Sequence, residues 1–312
     1  MRMIDAAEIA QRLPFDRLVP ALRSGFAAGA EVPTRHHHDI GGAGTLLLMP
    51  CWNENRYLGV KVAGVFPANR ERGLPSLHST YLLCDATTGE QLAVLDGAEL
   101  TRRRTIATAA LAADYLARPD AHTLLVVGSG AVASLAAHAY RAVRLIKEVL
   151  VYNIRPAGAE TLAAALRDDG FHAQAVTDLA AATGRADIVS AATLATEPLL
   201  RGAWIRPGVH IDLIGSFRPD MREADDELIS GGSLFVDTPT AIEESGDLTQ
   251  PLRDGVLTPE GIRATLTELC RGQHAGRRDP AEITVFKSVG LALTDLAAAT
   301  VVYESVTGTS RG

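Results

Sequence analysis

In the stretch "LLVVGSGAVAS", residues 124–134, four apolar residues run into Gly128-Ser129-Gly130 and then a series of small residues. An apolar strand that ends in glycine and passes into a helix is the first turn of a nucleotide-binding βαβ unit. The pattern here is Gly128-x-Gly130-x-x-Ala133. Gly128 permits the tight turn, Gly130 lets the backbone approach a pyrophosphate, and Ala133 keeps helix and strand close. Ser129, Ala131 and Val132 complete a loop whose helix N-terminus offers amide groups to phosphates. Glycines also serve ordinary turns, and a methyltransferase-type nucleotide site is the main alternative.

Working outward, strands are expected at 123–127, 148–152, 172–176, 187–191, 209–214 and 234–237, with helices at 131–145 and 158–167. Apolar strands alternating with helices specify an α/β fold with a Rossmann-type, doubly wound parallel sheet. The region ahead differs. "IDAAEIAQRL" and "FDRLVPALRSGFAAG" are helical, with Leu18, Leu22 and Phe26 on one face and Gly29 at the end. Strands at 45–49, 57–65, 79–84 and 92–95 follow, separated by turns such as Pro67-Ala68-Asn69 and Thr87-Thr88-Gly89, which predicts an antiparallel sheet or half-barrel. A helix over 99–117, capped by Thr101, leads to Arg118-Pro119-Asp120, the expected boundary of the dinucleotide-binding domain. The last long helix, 289–306, is apolar on most sides and is expected to be buried.

A chain of 312 residues with 47% apolar and 21% charged residues is expected to be a soluble protein with a sizeable core. Its net charge of −7 provides no electrostatic footprint for nucleic acid or an anionic membrane. No apolar signal-peptide core and no membrane-length run is present, and Cys51, Cys84 and Cys270 read as reduced thiols, so a cytoplasmic protein is expected.

The second strand ends at Asn153, with Arg155 two residues on. An acidic residue at this point selects NAD; Asn153 cannot repel a 2′-phosphate and Arg155 can pair with one, which favours NADPH over NADH. Lys61, in "LGVKVAG", shares a strand face with Gly59 and Ala63, an expensive position for a lysine unless it meets an anion. Arg104 lies in "RRRTIATAAL", where Arg102 and Arg103 read as a solvated helix face, and Arg35 follows a turn proline in "VPTRHHHD". Three such cations suit a substrate carboxylate. His36, His37 and His38 alternate between strand faces and lack an acidic or cysteine partner cluster, so they read as a polar edge strand and no metal is expected.

Together, "VPTR", "LGVKV", "FPANRERGLPS", "TRRRTIATAA", "GSGAVA", "ATEPLL", "GVHIDLIGSFRPDMRE" and "ITVFKSVGLALTDLAAA" resemble the ornithine cyclodeaminase/mu-crystallin family across nearly the whole chain. The resemblance implies a substrate-binding and dimerisation α+β domain, 1–118 completed by 285–312, around a Rossmann domain, 119–284, in a homodimer. It implies that Arg35 and Lys61 bind the substrate carboxylate, that Ser76 and Arg104 line the junction of substrate and cofactor, and that Val289 faces the substrate. It assigns the nucleotide to the glycine loop, Asn153, Thr193 and the 211–214 strand (Ile211, Asp212, Leu213, Ile214). Lys61 and Arg104 are the expected catalytic residues.

One departure bears on the reaction. True cyclodeaminases of the family carry an Asp in "G-x-D-x-P", which acts on the amine, and a Lys four residues later; here these positions hold Phe217 and Met221. A phenyl ring can neither take a proton nor orient a water. The sequence is closer to the ketimine-reducing branch, although that branch lacks the intervening Ile154. The expected activity is NAD(P)H-dependent reduction of a small cyclic imino acid, 1-pyrroline-2-carboxylate or 1-piperideine-2-carboxylate, to proline or pipecolate. Ornithine cyclodeaminase, an amino-acid dehydrogenase and a non-catalytic NADPH-dependent binding protein are the alternatives.

Overall fold

The fold follows from a computed structural model that describes residues 1–309, with Arg70 described by its backbone alone. The chain forms two compact units: Met1–Arg104 together with the segment from Leu291, and Thr105–Gly290.

The first unit holds a six-stranded sheet of β1 (Arg2–Ile4), β2 (His36–Asp39), β3 (Thr45–Trp52), β4 (Tyr57–Val65), β5 (Leu77–Asp85) and β6 (Gln91–Asp96), in the order β1-β6-β5-β4-β3-β2. All neighbours pair antiparallel except β1 with β6, and β1 was not foreseen from the sequence. Along β4, Tyr57, Gly59, Lys61 and Ala63 are buried while the residues between them are more exposed, the period-2 pattern of a half-buried strand. Helices α1 (Ala6–Arg12) and α2 (Phe15–Ala28) bury Ile9, Leu18, Leu22 and Phe26, and α2 ends at Gly29, whose φ of 82° suits glycine. The last helix, Ala292–Thr307, packs on α2 and on β3, β4 and β5. It starts later than expected, because Val289 and Gly290 belong to a loop.

Helix α3 (Gly97–Leu116) begins in this unit and continues into the second. Its N-terminus is capped by Asp96, whose carboxylate accepts from Glu99 N at 2.7 Å, so the expected cap Thr101 falls inside the helix. Arg103 is not solvated either. It pairs with Glu99, lies over the Phe15 ring and donates to the Leu13 carbonyl.

The second unit is built on an eight-stranded, wholly parallel sheet. Its strands are β7 (Thr123–Val127), β8 (Glu148–Tyr152), β9 (Ala173–Val176), β10 (Ile188–Ala191), β11 (His210–Leu213), β12 (Ser233–Val236), β13 (Ile262–Thr265) and β14 (Thr284–Lys287), in the order β13-β12-β14-β11-β10-β7-β8-β9. The chain runs from β7 outward to β8 and β9, then returns to place β10 on the other side of β7. That reversal is the switch point at which open α/β sheets bind ligands, beyond the carboxyl ends of the strands. The helix after β7 is shorter than the expected 131–145: a 3₁₀ turn at Ala133–Leu135 leads into α4 (Ala136–Arg141). Helix α5 (Pro156–Asp168) follows β8.

Candidate active site

In the first unit the residue that Lys61 meets is Asp295 of the last helix. Its carboxylate accepts from Lys61 Nζ at 2.7 Å through one oxygen and from Arg104 Nε at 2.8 Å through the other. All three side chains are buried, Asp295 completely. Lys61 lies on the buried face of β4 with Gly59 and Ala63, and α3 delivers Arg104 to the other carboxylate oxygen. Burial pushes the Asp295 carboxyl up, but Arg104 and Lys61 outweigh this and hold it below the ordinary range. Burial and the Arg104 charge lower Lys61 to about 8, while Asp295 resists that fall and Arg35 adds to it. Arg35, half-buried just ahead of β2, is thus electrostatically part of the cluster. Lys61 and Arg104 share the Asp295 carboxylate, and the Arg35 charge acts on Lys61, a gathering of cations that suits an anionic ligand. Asp295 was not foreseen as a site residue. Ser76 stands just ahead of β5, half-buried, and its carbonyl accepts from Phe66 N at 2.7 Å. His36, His37 and His38 form the exposed edge strand β2.

In the second unit the glycine loop leaves β7 with Gly128 at φ 113°, and a Cβ there would lie 2.7 Å from the Ala192 carbonyl. Only glycine suits this turn. A Cβ on Gly130 would meet nothing within 4 Å, so the loop has open space above it where phosphates could approach. Ser129 and Asn153 come together: both side chains abut Gly158, where an added Cβ would lie 2.7 and 2.5 Å from them. Asn153 Nδ2 donates to the Arg155 carbonyl at 3.2 Å, and Ile154 and Arg155 are exposed. Ala131 is exposed and Val132 half-buried. These residues fit a dinucleotide.

Thr193, on the loop after β10, donates from both N and Oγ1 to Glu223 at 2.7 Å, and Gly215 N donates to the other Glu223 oxygen at 2.7 Å. Glu223 is fully buried, and burial pushes its carboxyl above the ordinary range against the pull of Lys287. Ile211, Asp212 and Leu213 lie in β11 with their side chains inside the sheet. Asp212 bonds to Ser190 Oγ at 2.9 Å and to the Tyr140 hydroxyl, and Ile214 follows at the strand end. Val289 is buried in the loop after β14, and its N–H donates to Asp237 at 3.0 Å. Phe217 is 44% exposed and Met221 is buried. Asp220, the nearest carboxylate in sequence, is an exposed residue bound to Arg218 at 2.9 and 2.8 Å.

The sequence profile of the ornithine cyclodeaminase/mu-crystallin family matches residues 2–310. The chain belongs to that family. It is 40% identical to a Delta(1)-pyrroline-2-carboxylate reductase of Paracoccus denitrificans over 304 residues, covering 95% of this chain and 94% of the relative. Among solved structures it is similar to the Delta(1)-pyrroline-2-carboxylate reductase of Thermococcus litoralis in complex with NADH and L-proline, at a TM-score of 0.94 and 34% identity, covering 99% of this chain and 98% of that one. It is also similar to an archaeal alanine dehydrogenase dimer with bound NAD, at a TM-score of 0.93 and 29% identity over 99% and 96% of the two chains. The family thus holds the expected fold around more than one amino-acid chemistry.

Proposed function

We propose that this chain is an NAD(P)H-dependent reductase of cyclic imino acids, acting on a five- or six-membered ring such as 1-pyrroline-2-carboxylate. The observation that carries this reading is the buried pairing of Lys61 and Arg104 with Asp295, with Arg35 acting on Lys61, in a chain whose residue 217 is Phe. The cations offer a grip for a carboxylate, and the phenyl ring offers no base for deamination. The relatives named as pyrroline-2-carboxylate reductases support the same chemistry.

When bound, the reduced nicotinamide supplies the hydride that adds to C2 of the imine. Arg35 and Arg104 hold the substrate carboxylate and fix which face of the ring is presented. Lys61, near 8, keeps its proton at neutral pH yet can release it, so it stabilises the carboxylate and can protonate the ring nitrogen of a neutral imine. A substrate that binds as the iminium needs no proton from the protein. Gly128, Ser129, Gly130, Ala131 and Val132 would cradle the pyrophosphate. Asn153 and Arg155 at the end of β8 favour NADPH over NADH, since no carboxylate opposes a 2′-phosphate there. Thr193 and Ile214 would hold the dinucleotide, and Ser76 would face the imino acid. In this proposal the enzyme works as a homodimer in the cytoplasm, with the first unit as its substrate-binding and dimerising part.

The test is the rate of NADPH and NADH oxidation with a panel of cyclic imino acids, beside pyruvate with ammonium, and ammonia release from L-ornithine. Turnover of the cyclic substrates far above the others is expected. Preferential turnover of pyruvate or ornithine overturns the reading.

A further inference from the structure

We propose that Glu223 is a positioning residue for cofactor binding: one buried carboxylate clamps the loops after β10 and β11 into the arrangement the dinucleotide requires. The inference rests on the dinucleotide reading of those loops.

Glu223 lies away from the glycine loop in sequence, and its side chain is closed off from solvent. Yet its two oxygens are divided between two loops. One accepts from Thr193 N and Oγ1, the other from Gly215 N, all at 2.7 Å. The backbone of the clamp is itself anchored. Glu223 N and Ala224 N donate to Asp247 at 2.8 and 3.1 Å, and Asp247 is paired with Lys287 at the end of β14 at 3.2 Å. The loops it joins are in contact. A Cβ on Gly215 would collide with Thr193 backbone atoms, and a Cβ on Gly128 would lie 2.7 Å from the Ala192 carbonyl. The segments leaving β7, β10 and β11 therefore pack side by side at the switch point, and a shift of one displaces the next. Three donors converge on a group that can only accept when ionised. No neutral side chain reproduces that set: a glutamine keeps one oxygen for one loop and turns an NH₂ towards the N–H of the other. Exact geometry at a binding site depends on such supporting hydrogen bonds.

The experiment compares Glu223→Gln, Thr193→Val and Thr193→Ser with the wild type. Dissociation constants for NADH and NADPH come from fluorescence titration, folding from circular dichroism, and KM for cofactor and imino acid from steady-state rates. Glu223→Gln is expected to weaken both dinucleotides at least about tenfold, the scale of one lost hydrogen bond to a charged acceptor. KM for the imino acid should stay within about twofold, because that grip lies on Arg35, Lys61 and Arg104. Thr193→Val, which loses the Oγ1 bond, should show a smaller loss, and Thr193→Ser, which keeps an Oγ for that bond, a smaller loss than Thr193→Val. A folded Glu223→Gln that binds both dinucleotides as tightly as wild type overturns the clamp. So does an equal rise in both KM values, which marks general loosening. If Glu223→Gln does not fold, tight dinucleotide binding by Thr193→Val overturns it instead. Wild-type protein that binds neither dinucleotide overturns the dinucleotide reading itself, and the clamp with it.

Discussion

Replacing Asp295 by asparagine keeps the shape of the side chain and removes the one negative charge that Lys61 and Arg104 share. Both contacts are short, 2.7 and 2.8 Å, and the lysine and arginine side chains are only 5% and 6% exposed, so water cannot take over. Breaking one partner out of a buried pair typically costs about 3–5 kcal/mol. Asparagine retains one acceptor oxygen, so about 3 kcal/mol is the expectation, a fall in melting temperature of roughly 5 °C for a chain of this length. Activity should fall further than stability suggests, on the order of 10²-fold in kcat, because the cations lose their aim. The pH profile provides the sharpest readout. Lys61 stands at about 8, pulled down by burial and Arg104 and held up by Asp295. Activity that needs protonated Lys61 is lost as pH rises through that value, and in Asp295→Asn it should be lost at a lower pH. The stability of the wild type behaves differently. Because the folded value lies below the free-lysine value of 10.5, the unfolded chain binds more protons from about 8 to 10.5, and Lys61 makes the fold more stable as pH rises across that window. The assay is kcat/KM against pH for both proteins, with thermal melts at each pH. An unchanged alkaline limb in a folded Asp295→Asn refutes the reasoning, since Asp295 would then have no influence on Lys61.

Three further outcomes are expected. L-ornithine with catalytic NAD should release negligible ammonia, because Phe217 has no proton to exchange; robust conversion to proline, read by ammonia assay, contradicts this. Gly130→Val should fold normally, since the added side chain meets open space, yet lose dinucleotide binding; unchanged binding by titration removes the glycine loop from the site. Asn153→Asp should shift the NADPH/NADH ratio of dissociation constants towards NADH by at least about tenfold, and an unchanged ratio refutes the ribose assignment alone.

The local patterns proved the legible ones. Strand 57–65 was read to its ends because alternation and turn residues bound it on both sides, and β7 and β8 because short apolar runs stand between loops. Strand β14 escaped: four residues buried on both faces show no alternation, and Lys287 interrupts their apolar character. The expected helix after β7 runs too long because residues compatible with a helix, Ala142, Arg144 and Leu145, continue past Arg141. In the site, the cations were legible as lysine and arginine in unfavourable settings, but their partner was not. Asp295 lies 234 and 191 residues from Lys61 and Arg104, and in sequence it reads only as a break in an apolar helix. A lysine that must meet an anion is a signal that something is missing, without an address. Glu223 was hidden for the same reason, since its bonds run to loops that only the sheet order brings together.

The position of β14 also has a consequence for biosynthesis. It is the last strand of the parallel sheet to leave the ribosome, yet it sits between β11 and β12, joining the β12–β13 pair to the other five strands. Until residues 284–287 emerge, the sheet is two separate pieces with unpaired inner edges. The first unit waits as well, because Asp295 and the helix that covers its sheet come later still. Domains usually fold in order as they are synthesised. Here both units need the segment 284–307, so until it has emerged the nascent chain carries open sheet edges and buried-type cations without their counter-charge, the interval in which chaperone protection matters most.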